Sequence, residues 1–226
     1  MRISQLSPVF PMSRALKLIL IALSLAACSG GGGGGSTSCN ACDNSQFCPT
    51  PNVGQWVAFP AKSPQVNNDV FDFPCCDGSL IAGYFYTRLA TVPKLEQTLK
   101  LTYSLDVTNP IWATHDTGET PPPTLHLFIW QKGDNISCQG DYNFYRLFAA
   151  RTLLVPGDNQ TVSSLLSGTS WQGCYPKLPL TDNRLQTALN NNLGLGVTFG
   201  GQFFAGHGIY LTHGSARFTI KQFSSQ

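Results

Sequence analysis

The chain has 226 residues, 14 Lys plus Arg against 12 Asp plus Glu, a formal net charge of +2, and eight cysteines. Arg2, Arg14 and Lys17 all precede an apolar run with no acid among them, so the chain beyond the run has 14 − 3 = 11 basic groups against 12 acidic ones, a net charge of −1. A body so nearly neutral, with no basic patch, lacks the electrostatic footprint of nucleic-acid binding, and no such partner is expected.

In chain order, the basic stretch is followed by an apolar run over residues 18–27, the arrangement of a secretory signal peptide. The run is too short for a permanent transmembrane anchor, which needs about 20 apolar residues. A start at Met12 would keep Arg14 and Lys17 ahead of the run and lead to the same export. Leu25-Ala26-Ala27-Cys28 resembles the lipobox of bacterial lipoproteins. That resemblance implies cleavage before Cys28, a diacylglycerol on its sulfur, palmitate-type acylation and attachment to a membrane. Ser29, where an Asp would signal retention, implies the outer membrane of a Gram-negative cell. An ordinary signal peptide cut nearby is the alternative, and it leaves Cys28 without a role. Residues 29–38 read SGGGGGGSTS, a flexible leash with an end-to-end distance of about 18 Å.

Seven cysteines remain: Cys39, Cys42, Cys48, Cys75, Cys76, Cys138 and Cys174. In an oxidising compartment they suggest up to three disulfides and one odd thiol. The expected pattern staples the Cys-rich segment 39–50 to the Cys75/Cys76 pair and joins Cys138 to Cys174. A zinc site would need a second ligand pair at ribbon spacing, and a thioredoxin-like Cys39-x-x-Cys42 pair would need a βαβ context; neither follows.

Residues 51–226 read as one domain of strands and turns. Residues 99–107 alternate apolar and polar at period two. Residues 124–130 run into Gly133-Asp134-Asn135, and residues 151–155 into Gly157-Asp158-Asn159, with a hairpin loop expected at 156–160. Further strands are expected at 80–86, 142–149, 194–199, 208–211 and 216–223. One short helix near 183–191 interrupts them, with Asp182 as its cap and Leu185, Ala188 and Leu189 on one face. Strands at this spacing, with abundant turn residues, predict an all-β fold, an antiparallel β-sandwich of jelly-roll type.

Residues 193–209, LGLGVTFGGQFFAGHGI, and 214–220, GSARFTI, resemble the tail of bacterial secreted proteins whose fold is similar to the jelly roll of carbohydrate-binding modules. Residues 141–145, 153–157 and Trp171 extend the likeness, which spans about residues 70–224. It implies a fold more than an activity, since its motifs are glycines and aromatics.

No catalytic constellation accompanies them: there is no Gly-x-Ser-x-Gly elbow, no His-Glu-x-x-His and no P-loop. Glu96 and Glu119 are the only glutamates, and Asp134 with Asp141 is the nearest approach to a glycosidase pair, although acids around a turn are usually solvated. His207, between two glycines, reads as a loop-fixing histidine before a ligand or base. His126 lies in an apolar strand, and His115 and His213 in loops. The two Gly-Asp-Asn turns lack the several spaced oxygens that a structural calcium prefers, and no cofactor is implied. Sugars bind on aromatic faces with polar rims, and Trp112, Trp130, Trp171, Tyr142, Tyr145 and Tyr175 offer such rings; Trp112 and Tyr175 sit in loop-like contexts. The sequence thus favours a membrane-anchored, non-catalytic surface protein with polysaccharide as the first ligand class. A hydrolase or lyase on the same scaffold and a structural or adhesive envelope component are the alternatives. Oligomeric state has no signature in the sequence.

Overall fold

The computed structural model of the chain describes residues 50–226, apart from 61, 77, 116–121, 135–137, 139, 175–179 and 202–205. Cys28, Cys39, Cys42, Cys48 and Tyr175 therefore lie outside the described residues, as does the side chain of Asp141. The chain divides into units Met1–Ser38 and Cys39–Gln226, and all described residues belong to the second.

Among the described residues, eleven strands form two antiparallel sheets. In chain order they are β1 (Val57–Phe59), β2 (Val70–Asp72), β3 (Tyr84–Thr87), β4 (Thr98–Thr114), β5 (Thr124–Gln131), β6 (Arg146–Ala149), β7 (Thr152–Leu153), β8 (Gly157–Leu165), β9 (Trp171–Gln172), β10 (Asn192–Gly200) and β11 (Ile209–Ser225). The larger sheet has the order β1-β3-β10-β5-β6-β9 with β7 also on β5, and the smaller β2-β11-β4-β8. This is the all-β sandwich that the strand spacing predicts.

Period-two alternation builds the core. Leu99, Leu101, Tyr103 and Leu105 of β4, with Ala216, Phe218 and Ile220 of β11, face Leu125, Leu127 and Ile129 of β5 and Leu195, Val197 and Phe199 of β10. Phe71 of the short β2 holds the centre, stacked on Phe85 at 4.1 Å between ring centroids and on Phe218 at 5.2 Å. On the solvent side of the smaller sheet, Arg217 grips Asp72 through two bonds of 2.7 and 3.1 Å.

That grip holds the Asp72 carboxyl below the usual carboxylate range, the hydrogen bond to Arg217 being the main cause. Its stabilisation is present at neutral pH and fades as pH falls through the lowered value. Because both groups are exposed, Asp72→Asn is expected to leave the melting temperature at pH 7 unchanged within error; a clear drop would mean that the pair is better shielded than its exposure shows.

Several boundaries differ from those read in the sequence. Residues 208–211 and 216–223 merge into the 17-residue β11, which pairs with β4 over its length through three register shifts. Bulges carry the strand past Gly214, whose positive φ would otherwise end it. The expected hairpin at 156–160 is absent: β7 pairs with β5 in one sheet and β8 with β4 in the other, so residues 154–156 cross between layers. Residues 140–144 form a 3-10 turn, which shortens the strand expected at 142–149 to β6.

The helix, α1, spans Asp182–Asn190 and buries Leu185, Ala188 and Leu189 as expected, but its cap is Thr181, whose hydroxyl accepts from the Arg184 amide at 3.4 Å. Asp182 is drawn away because its carboxylate accepts from the Gly168 amide, tying the helix to the preceding turn. No helix among the described residues is long and apolar enough to cross a membrane.

Candidate functional site

The outward face of the larger sheet is where the domain departs from a simple sandwich. Alternation along β5 sends Leu125, Leu127 and Ile129 inward, so His126, Phe128 and Trp130 point the other way, where solvent is expected. All three are buried. Phe59, Tyr84, Tyr86, Phe128, Trp130 and Phe148 form a second apolar cluster on that face. Trp130 is 2% exposed and lies 5.1 Å from Phe59, 5.2 Å from Tyr86 and 5.4 Å from Tyr84, centroid to centroid.

Glycines in β10 make room for these rings. A Cβ on Gly194 would come within 2.6 Å of the Tyr86 ring, and one on Gly196 would overlap the Phe85 carbonyl. The alternating Gly-Leu-Gly-Val of the sequence is therefore one strand with an apolar inner face and a bare outer one. Gly206, at φ +82°, passes against the Tyr84 hydroxyl so closely that any Cβ would overlap it.

Two charges are embedded here. Arg146 of β6 meets the Asp134 carboxylate at 2.7 Å, with side-chain exposures of 5% and 0%. The same guanidinium donates to the Tyr84 hydroxyl at 3.1 Å and to Cys138 Sγ at 2.9 Å. Burial works against the Arg146 charge, but Tyr84 and Asp134 outweigh it and raise its pKa above the usual value. Burial also raises the Tyr84 phenol, so it stays protonated. Asp134 is thus a buried counter-ion and not the solvated turn residue the sequence suggested; Arg146 draws it in. His126 is fixed by a 3.0 Å contact between Nδ1 and the Ala149 carbonyl.

At the rim stand Tyr142 and Tyr145, both half-buried, with ring centroids 5.1 Å apart and planes at 43°. Their turn is held at three backbone carbonyls. The Gln131 amide donates to the Tyr145 carbonyl at 2.8 Å, the Gln131 side chain donates to the Phe144 carbonyl, and the Cys174 amide donates to the Asn143 carbonyl at 2.9 Å. The Cys138–Cys174 disulfide, expected from the sequence, closes the frame. Arg184 of α1 covers the Phe144 ring at 3.9 Å. Two amphipathic rings are thus presented on a turn that has little freedom to rearrange, a geometry suited to stacking on a flat ligand with C–H faces and hydroxyl edges.

The other sequence candidates lie elsewhere. Trp112 sits opposite Leu211 and packs edge-on to Phe73 at 4.9 Å, at the margin of the core and not on an open loop. Trp171 is buried, its indole N–H donating to the Leu165 carbonyl at 2.9 Å. His207 is exposed beside Gly206. Cys75 and Cys76 are bonded to each other, which overturns the expected staple to the N-terminal cysteines, since each sulfur makes one such bond. Gly157, Asp158 and Asn159 begin β8 and are not a free turn. Among the described residues, no group of three or more His, Cys, Asp or Glu could hold a metal ion. Arg146 and Tyr84 escaped sequence reasoning; the available signal was a single cation inside the apolar run Tyr145-Arg-Leu-Phe148.

Fold and site together define a disulfide-bonded β-sandwich with a sealed aromatic layer on one outer face. The solved L4b domain of human laminin alpha-2 is similar at 8% identity and a TM-score of 0.31, over 76% of this chain and 98% of that domain. No protein-family model matches the sequence. No curated protein matches it.

Proposed function

We propose that the chain is a lipid-anchored envelope protein of a Gram-negative bacterium whose sandwich binds carbohydrate without altering it, through Tyr142 and Tyr145. The observation that carries the binding site is the rigid mounting of two adjacent, half-buried tyrosine rings. Preorganised rings lose little conformational freedom on binding, so a larger share of the stacking energy becomes affinity. A non-catalytic role is favoured because Asp134, one of the two acids weighed for hydrolysis, is committed to Arg146. The anchor rests on the apolar leader, Cys28 and the glycine leash.

A glycan array probed with the mature chain is the test of binding. Removing both rings, as Tyr142→Ala with Tyr145→Ala, is expected to weaken retention by about tenfold or more, each ring contact being worth about 0.5–1.5 kcal/mol. An intact wild-type domain that retains no polysaccharide overturns the reading. For the anchor, Cys28→Ser is expected to move the protein from the membrane to the soluble fraction, and mass spectrometry of the native N-terminal peptide should show acyl chains on Cys28. An unmodified thiol there would refute it.

A structural or adhesive role is the second reading. One observation favours it: among the described residues no Phe, Trp or Tyr is fully exposed, and the exposed large hydrophobics are Val53, Leu80, Val92, Ile111, Leu153, Val155 and Leu165.

A further inference from the structure

The two disulfides among the described residues differ in what they can do for the fold. Cys138–Cys174 joins positions 36 apart in the chain and so removes much freedom from the unfolded state. Cys75–Cys76 joins neighbours, the shortest loop a disulfide can close, and by the same account contributes little stability. Cys75 and Cys76 are both exposed, whereas Cys138 and Cys174 are half-buried. Exposed disulfides are the ones that exchange readily with thiols. This one also holds its own backbone in an unfavourable state, because Cys76 has φ +129°, an angle rarely adopted by residues with a Cβ.

The segment around the pair is fastened to β11 at both ends. Upstream, the Phe73 amide donates to the Ala216 carbonyl at 2.8 Å and the Leu211 amide to the Pro74 carbonyl at 2.7 Å. Downstream, Ala82 and Ile209 exchange two backbone bonds of 2.8 and 3.1 Å. Between these points Gly78 passes over the ring of half-buried Tyr210, so closely that a Cβ on it would lie 3.1 Å from the ring.

We propose that Cys75–Cys76 is a thiol–disulfide exchange site for a dithiol reductant, and that opening it lets Cys76 leave its positive φ and Gly78 leave the Tyr210 ring. A thiolate of the dithiol attacks one sulfur of the pair and forms a mixed disulfide. The protein S–S bond breaks, and its electron pair stays on the other sulfur, which takes a proton from water. The reductant's second thiol gives its proton to water and attacks the reductant's own sulfur in the mixed disulfide. That expels the remaining protein sulfur as a thiolate, which is protonated in turn, and the reductant leaves as a disulfide. A monothiol fails at the second step, since the freed protein sulfur, one residue away, attacks the mixed disulfide and expels it.

The test takes the full mature chain in detergent through a dithiothreitol series, with thiols alkylated and mapped by mass spectrometry. Cys75 and Cys76 are expected to be alkylated together at a dithiothreitol concentration about tenfold below that needed for Cys138 and Cys174. Glutathione at the same thiol concentration should leave the pair closed. In the opened form, hydrogen exchange at the Leu211 amide should quicken about tenfold or more, while Phe218 in the core stays protected and shows that the fold survives. Cys75→Ser with Cys76→Ser should reproduce that exchange without reductant and unfold at the same urea concentration as the wild type. Four results overturn the proposal: Cys75 or Cys76 joined to any other cysteine, Cys138–Cys174 opening first or together with the pair, glutathione opening it as readily, or an opened pair with unchanged exchange at Leu211. A large loss of stability in the double serine variant would make the bond a structural one and overturn it as well.

Discussion

Replacing Asp134 by alanine is expected to destabilise the domain by about 3–5 kcal/mol, because Arg146 would keep its charge in a sealed site and lose the anion that balances it. Tyr84, a neutral phenol, and the Cys138 sulfur would remain beside it, and neither carries a compensating charge. The double variant Asp134→Ala with Arg146→Met should recover most of that loss, since both charges disappear and the methionine stem refills the space among the rings. Urea unfolding with the disulfides intact measures all three proteins. A cost below about 1 kcal/mol for Asp134→Ala would show that water reaches Arg146 and that the layer is not sealed. Alkaline titration gives a further check on the same cluster. With the folded Tyr84 phenol raised by burial, stability should fall as pH rises past about 10, where the unfolded chain gives up that proton and the folded chain does not.

Trp130→Ala is the second large effect, at about 3–5 kcal/mol. The indole fills the space between β1, β3 and β5, in contact with Phe59, Tyr84 and Tyr86, and the neighbouring Gly194 has no side chain to collapse into the cavity. Trp130→Phe should cost less, since a ring remains to pack edge-on against Phe59. Chemical denaturation followed by fluorescence distinguishes the outcomes, because the buried indole should also dominate the change in emission on unfolding. A Trp130→Ala cost within about 0.5 kcal/mol of zero is what a solvent-facing residue would give, and it would refute the second apolar layer.

Both experiments probe a feature that local pattern conceals. Period-two alternation in residues 99–107 gives β4 correctly because one of its faces meets the core and the other meets water. In β5 both faces are apolar, and a continuous apolar run shows only that a strand is covered twice, not by what. The cover comes from Phe59 and the Gly206 turn, both far from β5 in sequence, and from Asp134, which follows β5 directly but is paired with Arg146 of β6. The same limit applies to the tyrosines. Tyr142 and Tyr145 are recognisable as amphipathic rings, but their spacing in a 3-10 turn, and the clamps from Gln131 and Cys174, follow only once β5 and β6 are paired.

The sequence by itself determined the all-β class, one amphipathic helix with Leu185, Ala188 and Leu189 inward, and the Cys138–Cys174 bond as the favoured pairing. These depend on local periodicity and on cysteine supply, which a linear chain displays. Only the tertiary structure decided that β7 and β8 part into different sheets, that Cys75 bonds Cys76, and that Asp134 is buried against Arg146. Each of those depends on which surfaces compete for the same space. Desolvation and close packing settle that competition, and periodicity along the chain carries no signal of it.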